Sequence, residues 1–460
     1  MNNVNSGTAN HTRHRAFSLY RKTPMEYASF KAVLRQPHRA MKIASCFLLL
    51  ALALAPASRA ADAQSPRTSL RQPPSRISTT PSVTTLPSYG RQPTGRPMVG
   101  RIQNGYPPQR IARLNMRGSS GRDQQSLEAI EKGLDWLTEN QKEDGHWELG
   151  GTKRSDIAAT SAAIMCYLGW GVNHKRPATD NDPSHVNALR KGLDWLADKV
   201  GDDGKAADGG NMYAHSLCVK ALAEAYKSTE DAALQVPLTR ATAYLMRSQN
   251  PQTGGWRYQS YTVRRDPGDM SVSGYTVMAM VLAKNAGMAV DDDRVDLSKK
   301  FLDSVSSGEH KGLYSYKTAP TATTQPANAN NRTRRPAPRV PLTAQGMLCQ
   351  QLYGMGSNNN RIVESAQYLF RNQPESDDPN YYYWFFGTLA MDRFMPSDRG
   401  LRGSRDRWLA TMMTLFRGRQ ESDGHWDPEG FKSRSFGPTL TTCYALLSLQ
   451  VAWDRLMQFN

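Results

Sequence analysis

Four aspartates stand close to aromatic residues in the C-terminal three quarters of this chain: Asp156, Asp269, Asp377 and Asp378. Paired carboxylates beside aromatic platforms are the arrangement that glycoside cleavage uses. Asp156 and Asp269 each precede a helical pattern, so the alternative is that they cap helices, where a negative charge meets the helix dipole. Asp377 and Asp378 lie between two prolines, which predicts a loop.

The residues around these aspartates are candidates for lining a ligand site. The candidates are Tyr213, His215, Trp256, Tyr258, Tyr314, Tyr316, Tyr382, Tyr383 and Trp384. Aromatic side chains more often pack in a core than bind a ligand, and that alternative stays open for each of them. The run from Tyr381 to Trp384 nevertheless exceeds what one buried helix face needs.

The sequence argues against a metal site. His215 and Cys218 would share a helix face, but two ligands do not make a tetrahedral set. A core histidine beside a core thiol is the favoured interpretation. Cys166, Cys349 and Cys443 also sit inside apolar helical patterns without a CxxC pair, which predicts buried free thiols, although an exported protein could pair two of them. We expect no metal and no cofactor.

Apolar residues recur at helical spacing from residue 123 onward, in twelve segments that form six pairs. The first members of the pairs cover residues 124–141, 184–200, 231–249, 293–307, 360–373 and 404–420. The second members cover residues 155–171, 210–228, 269–287, 341–355, 379–395 and 437–457. The first members are amphipathic, whereas the second members are apolar or small nearly all round. An inner ring of six apolar helices inside an outer ring of six amphipathic helices accounts for both patterns.

A short motif follows the first helical segment in three of these pairs. It consists of an aromatic residue and Leu in the helix, then Gln, then Gly and Trp. It occurs at Gln141/Trp147, Gln249/Trp256 and Gln420/Trp426. The motif resembles the QW motif of the squalene cyclase and protein prenyltransferase superfamily, and the chain looks like the exported prenyltransferase/squalene-oxidase-repeat proteins over about residues 123–460. The resemblance implies an all-α fold, the α/α toroid, in which the Gln braces helix ends.

The resemblance also implies two kinds of chemistry, and the sequence departs from both. A squalene cyclase carries its acid in an Asp-x-Asp-Asp-Thr-Ala motif. After Asp156, the positions of the second and third Asp are occupied by Ala158 and Ala159, and after Asp269 the position of the second Asp is occupied by Ser271. A protein prenyltransferase binds zinc partly through an Asp-x-Cys pair, which this sequence lacks. In a toroid, the four aspartates and the aromatic candidates would rim one mouth of the ring.

Charge is distributed unevenly along the chain. The chain has 58 Lys+Arg and 41 Asp+Glu, of which residues 1–122 hold 19 and 2, so residues 123–460 hold 39 of each sign. The toroid therefore has no overall basic field, which removes the main argument for nucleic-acid binding.

The N-terminal part predicts export. Met41 and Lys42 precede an apolar run and a small-residue site near Ala60, a pattern typical of a signal peptide. We predict that residues 1–60 are a basic n-region and signal peptide with Met41 as the start. Residues 61–122 are predicted to be a disordered basic Pro/Ser/Thr/Arg linker that contacts acidic surfaces. The toroid follows, with a flexible insertion at 318–340.

Together these features predict an exported toroid, periplasmic or secreted, that binds an apolar or isoprenoid-like ligand or a protein partner. The catalytic alternatives are a divergent terpenoid cyclase-type enzyme and a carbohydrate-active α/α enzyme. Two carboxylates facing each other across a cleft would favour glycoside cleavage, and a closed apolar chamber would favour an isoprenoid ligand.

Overall fold

The structure is a computed structural model that describes residues 121–151, 155–175, 182–206, 211–318 and 336–457. The described helices are α1 Gly121–Glu139, α2 Asp156–Gly169, α3 Pro183–Asp198, α4 Met212–Thr229, α5 Ala232–Arg247, α6 Met270–Asn285, α7 Asp292–Ser304, α8 Val340–Leu352, α9 Asn360–Arg371, α10 Tyr381–Arg393, α11 Arg399–Arg417, α12 Gly430–Ser433 and α13 Gly437–Met457. Two short antiparallel strands, β1 Ser306–Ser307 and β2 Leu313–Tyr314, follow α7. None of the described helices is long and apolar enough to cross a membrane.

The long helices form six pairs, as the helical spacing predicted. An outer helix is followed by an inner helix in each pair: α1 and α2, α3 and α4, α5 and α6, α7 and α8, α9 and α10, α11 and α13. The outer helices are amphipathic; α9 buries Ile362, Ala366 and Leu369 along one stripe. Inner helices are buried on all sides, and α6 has no exposed residue between Met270 and Met280.

The inner helices close into a ring. Each packs on the next in the order α2, α4, α6, α8, α10 and α13, and α13 returns to α2. At the seam between α13 and α2, Gln450 Nε2 donates to the carbonyl of Cys166 at 3.0 Å. The chain is therefore a closed array of helical hairpins, and no described edge of the inner ring is left open.

The Gln of the repeated motif braces neighbouring hairpins. Gln141 Nε2 donates to a backbone carbonyl of α3 at 2.9 Å, and Gln249 Nε2 to one of α7 at 3.0 Å. Gln420, which follows α11, donates to the carbonyl of Ala129 in α1 at 2.7 Å. The predicted brace is confirmed, and its last copy joins the final hairpin to the first.

The Trp of the motif holds its own hairpin together. Trp147, Trp256 and Trp426 are fully buried. Their indole Nε1 atoms donate to backbone carbonyls of the preceding outer helix at 2.6, 2.9 and 2.7 Å. Their backbone N–H groups donate to a Thr or Ser hydroxyl of the following inner helix at 3.0, 2.9 and 3.0 Å. The Trp thus links the two helices of one pair, whereas the Gln links adjacent pairs.

The glycine before the Trp permits the close contact between hairpins. Gly424 has a φ of +103°, and a Cβ there would lie 2.3 Å from the carbonyl oxygen of Lys132. In the second hairpin, where Gln and Trp are missing, Gly204 has a φ of +76° and makes the same approach to the carbonyl of Arg240. The turn geometry therefore survives where the rest of the motif is eroded.

Three expectations differ from the structure. The cap of α2 is Ser155, whose hydroxyl accepts from the N–H of Ala158 at 3.4 Å, while Asp156 lies in the first turn. Helix α8 already begins at Val340, and residues 319–335 of the predicted insertion lie outside the described residues, as do the predicted signal peptide and residues 61–120 of the predicted linker. The inner helices are not uniformly apolar, because α4 contains the buried Lys220 and Glu224.

Candidate functional site

Four tyrosines meet at the end of the ring where the inner helices begin. Tyr213 is the second residue of α4 and Tyr382 the second residue of α10, while Tyr258 follows the turn after α5 and Tyr316 follows β2. All four side chains are partly buried and pack against the core. Each of the four residues therefore keeps part of its surface exposed. We call these four residues the tyrosine entrance.

Hydrogen bonds and ring contacts connect the tyrosine entrance. The hydroxyls of Tyr258 and Tyr316 lie 2.7 Å apart, and the rings of Tyr213 and Tyr258 have centroids 5.8 Å apart. Tyr382 OH donates to Gln345 Oε1 at 3.0 Å, and Gln345 Nε2 donates to a backbone carbonyl of α6 at 3.1 Å. Burial raises the pKa of Tyr213, Tyr316 and Tyr382, so these phenols stay protonated.

Asp269 lies behind the entrance and is fully buried. Its Oδ1 accepts from the N–H of Val272 at 3.0 Å, so it caps α6, as the capping alternative predicted. The Ser271 hydroxyl also donates to Oδ1 at 2.5 Å and accepts from Tyr213 OH at 2.6 Å. Oδ2 pairs with Nη1 of Arg257. Both oxygens therefore have partners, and this carboxyl group holds Ser271, Arg257 and the start of α6 in place.

Arg257 supplies a positive charge to the entrance. Its Nη1 donates to Tyr316 OH at 2.7 Å, and its Cζ lies 4.3 Å from the ring centroid of Tyr258, a cation–π contact. Burial disfavours the charged form, but the Asp269 carboxylate outweighs burial and raises the pKa of Arg257. Arg257 was not among the residues predicted from the sequence, although its position between Trp256 and Tyr258 was an available signal.

The centre of the ring below the entrance is filled with aromatic side chains. Tyr275 of α6 and Tyr444 of α13 share a hydrogen bond between their hydroxyls. Because α6 and α13 stand opposite each other in the ring of six, this contact crosses the centre. Tyr275 also meets Tyr213 and Phe386 at centroid distances of 5.4 and 5.0 Å, and Phe385 stacks on Tyr444 at 4.9 Å. We call Tyr275, Phe385, Phe386 and Tyr444 the aromatic layer.

A buried ion pair adjoins the aromatic layer. Lys220 Nζ lies 3.7 Å from Glu224 Oε1 and 5.9 Å from the ring centroid of Phe385. Helices α4 and α10 are also opposite each other, so Lys220 reaches the centre of the ring. Burial raises the pKa of Glu224. The pair was not predicted from the sequence, although two charges four residues apart in an otherwise apolar inner helix were an available signal.

The other predicted aromatic residues pack away from the entrance. Trp256 is the Trp of the repeated motif. Tyr314 is buried, and its hydroxyl accepts from Arg361 Nε at 2.9 Å. Tyr383 OH donates to a backbone carbonyl just after α9 at 2.6 Å, and Trp384 packs against α11 at a ring distance of 5.5 Å. The Tyr381–Trp384 run is thus divided, since Tyr382 alone joins the entrance.

His215 is a core histidine, as predicted. Its Nδ1 accepts from the N–H of Ala206 at 3.4 Å, and its Nε2 donates to the carbonyl of Ala241 at 3.0 Å. Burial lowers the pKa of His215 to about 4, so the ring is neutral at pH 7. The four described cysteines are buried and free, as predicted. Within the described ranges, no group of three or more His, Cys, Asp or Glu could hold a metal ion.

The remaining candidate carboxylates lie at the same end of the ring but outside the hydrogen-bonded cluster. Asp156 is partly buried at the start of α2, and Asp377 and Asp378 are exposed on the loop before α10. Asp377 accepts from the Ser376 hydroxyl at 2.8 Å. The carboxylate that the structure brings to the tyrosines is Asp269, and it is occupied by an ion pair.

No family model matches this sequence, and no curated protein matches it. Solved structures do match. The α-1,6-mannanase GH76A from Salegentibacter sp. HEL1_6 is similar over 71% of this chain and 98% of its own, with a TM-score of 0.52 and 12% identity. The type II terpene cyclase MstE from Scytonema is similar over 72% of this chain and 99% of its own, with a TM-score of 0.48 and 13% identity. The fold is an α/α toroid. The α/α toroid predicted from the repeated motif is confirmed, and at these identities the likeness concerns the fold alone.

Proposed function

We propose that this chain is a binding protein whose site is the tyrosine entrance and whose ligand carries a ring. The observation behind the proposal is the convergence of four partly buried tyrosines from four separate segments, two of which, Tyr258 and Tyr316, contact the guanidinium of Arg257. Ligand sites are commonly aromatic surfaces with a few placed polar groups. The Gln braces and the Asp269 ion pair hold these segments together before any ligand arrives, which lowers the entropic cost of binding.

A ring with polar substituents suits this entrance better than a long apolar chain. Phenol hydroxyls and the guanidinium offer hydrogen bonds, while the exposed parts of the tyrosine rings offer apolar faces. The aromatic layer occupies the centre of the ring directly below, which limits how deep a chain can reach. An apolar or isoprenoid-like ligand is therefore the second candidate. A protein partner would use the same entrance by presenting a ring-bearing side chain.

The entrance supports binding better than catalysis. A terpenoid cyclase or a glycoside-cleaving enzyme needs an acid with a proton to donate. Asp269, the carboxyl group of the cluster, accepts donors on both oxygens instead. An inactive variant of the similar mannanase was solved with α-1,6-mannotriose. We therefore choose that trisaccharide as the first neutral ring-bearing probe for this entrance.

We also propose that the protein is exported to the periplasm or beyond, and that residues 61–122 contact acidic surfaces. The support is the apolar run after Met41, the small residues near Ala60 and the basic composition of the linker. N-terminal sequencing of the protein recovered from the periplasm or medium tests this. An intact N-terminus ahead of residue 60 would contradict removal of a signal peptide.

Two experiments test the binding proposal. Mass spectrometry of aqueous and organic extracts of the purified protein identifies any ligand that stays bound. Calorimetric titration with α-1,6-mannotriose, geranylgeraniol and any extracted ligand then compares the parent with Tyr258→Ala. We expect Tyr258→Ala to weaken binding at least about tenfold, because it removes an aromatic face and the hydroxyl bonded to Tyr316.

Tyr261→Ala is the matched control. Tyr261 lies three residues further along the same loop, but its hydroxyl donates to Gln252 outside the entrance. We expect this variant to bind like the parent. Equal affinity of the parent and Tyr258→Ala would show that the entrance is not the site.

A further inference from the structure

Two arginines flank one tyrosine of the entrance. The Cζ atoms of Arg257 and Arg339 both lie 5.7 Å from the ring centroid of Tyr316. Arg257 comes from the loop after α5, and Arg339 immediately precedes α8. The backbone N–H of Arg339 donates to the carbonyl of Tyr314 at 2.9 Å, which fixes its position beside the entrance.

The guanidinium groups keep hydrogen-bond donors for a ligand. Within the part of the chain that the structure describes, Arg257 donates two hydrogen bonds, to Asp269 and to Tyr316, and both come from Nη1. The guanidinium of the exposed Arg339 contacts the Tyr316 ring. An arginine offers five N–H donors in a planar fork that matches a carboxylate.

The charge at this edge of the entrance is positive. Asp269 balances Arg257, and Asp266, further along the same loop, is paired with Arg264 at 3.1 Å. Arg339 and the exposed Lys317, which directly follows Tyr316, add positive charge. Such a surplus attracts anions and repels cations.

We infer that the ligand of the entrance is an acidic saccharide, with its sugar ring on the tyrosines and its carboxylate on Arg339 and Arg257. This inference rests on the proposed function and specifies its ligand class. The aromatic rings of these partly buried tyrosines suit a pyranose ring, and the phenol hydroxyls suit its hydroxyl groups. Asp269 holds Arg257 from behind, so the guanidinium is oriented without a ligand. A neutral sugar or a hydrocarbon would offer no carboxylate to the guanidinium of Arg339.

The test uses pairs of ligands that differ only in charge. The probes are trisaccharides of galacturonate, glucuronate and mannuronate, each beside its fully methyl-esterified form, with geranylgeraniol as the apolar probe. Calorimetric titrations at 50 and 500 mM NaCl use the full chain. We expect at least one acid form to bind at least tenfold more tightly than its ester at low salt. We expect added salt to remove most of that difference, since salt screens exposed charges.

Arg339→Met tests the assigned residue, because it keeps the aliphatic stem and removes the charge of an exposed side chain. It should weaken binding of the acid form at least fivefold and leave the ester unchanged. Arg265→Met, another exposed arginine in the loop of Arg257, is the matched control and should have no effect. Near-UV circular dichroism confirms that each variant retains the parent fold.

The outcomes separate this inference from the proposed function. Equal binding of acid and ester, both weakened by Tyr258→Ala, would overturn the charge selection and leave the entrance as the site. Binding of geranylgeraniol but of no uronate would also overturn it. Acid binding that survives Arg339→Met would remove the assigned role of Arg339. Failure of every probe to bind would refute the acidic-saccharide assignment. The experiment with the extracted ligand would then still test whether the tyrosine entrance is the binding site.

Discussion

Removing the brace at the seam of the ring should destabilise the protein by a predictable amount. Gln420 Nε2 donates to the carbonyl of Ala129 at 2.7 Å and to the carbonyl of Gly424 at 2.8 Å. A hydrogen bond contributes about 0.5–1.5 kcal/mol net, so Gln420→Ala should lower the free energy of unfolding by about 2 kcal/mol. Urea unfolding followed by far-UV circular dichroism measures this loss.

Two other glutamines provide matched controls. Gln141 makes the equivalent two bonds, to the carbonyl of Ala188 in the next hairpin at 2.9 Å and to the carbonyl of Gly145 in its own hairpin at 2.8 Å, so Gln141→Ala should lower the free energy of unfolding by a similar amount. Gln373, which follows α9, is exposed and makes one hydrogen bond to the carbonyl of Phe370. Gln373→Ala should change the free energy of unfolding by less than about 0.5 kcal/mol, as exposed substitutions usually do.

The seam variant should also open locally. A contact between Gln420 and Ala129 joins residues 291 positions apart, so once it breaks, the end hairpins are not held together by a short stretch of chain. Hydrogen exchange of the α1 amides should therefore accelerate in Gln420→Ala more than exchange of the α3 amides accelerates in Gln141→Ala. A loss below about 0.5 kcal/mol, or unchanged exchange in α1, would refute the view that this glutamine closes the ring.

Three further predictions concern the interior. Lys220→Met should lower the free energy of unfolding by about 3–5 kcal/mol, because it leaves Glu224 buried and unpaired. Adding Glu224→Leu should restore the stability in urea unfolding. Equal losses in the single and the double variant would contradict this prediction. Burial lowers the pKa of His215 from 6.5 to about 4, so its contribution to the free energy of unfolding is fully present above pH 6.5. That contribution should fall by at most about 3 kcal/mol as the pH drops toward 4. Urea unfolding at several pH values should show this dependence in the parent and not in His215→Gln. At Gly254 a Cβ would lie 1.9 Å from a carbonyl oxygen of α7, whereas Gly287 has a similar positive φ and open space around it. Gly254→Ala should therefore lower the free energy of unfolding by about 3 kcal/mol more than Gly287→Ala. Equal melting temperatures of the two variants would show that the turn relaxes freely.

The sequence predicted the helical pairs because they depend on local spacing, and the resemblance to the QW motif implied the brace. The sequence also contained the information for ring closure. The Asp-Gly-His-Trp ending at Trp147 docks on the Lys-Gly-Leu-Asp-Trp ending at Trp195, and His146 stacks on Trp195 at 5.2 Å. The second Asp-Gly-His-Trp, ending at Trp426, docks on the Lys-Gly-Leu-Asp-Trp of α1 in the same way. In an open array, the last copy would have no partner.

The candidate site was predicted less completely. Tyr213, Tyr258, Tyr316 and Tyr382 were among the predicted binding residues, and the structure brings these four together. Arg257 was missed because its significance depends on Asp269, which lies twelve residues later and meets it only when α6 docks against the preceding loop. Capping by Asp269 was predicted because a cap is a local feature of the helix start.

The sequence alone determined which segments are outer and which are inner helices, because an amphipathic stripe or its absence is visible in residue spacing. The tertiary structure decided which side of each inner helix faces the centre. An inner helix is buried all round, so its apolar pattern contains no polar face to mark a direction. Tyr382 and Phe386 therefore face the ring centre, while Trp384 on the same helix faces α11, and only the packing of neighbouring helices separates them.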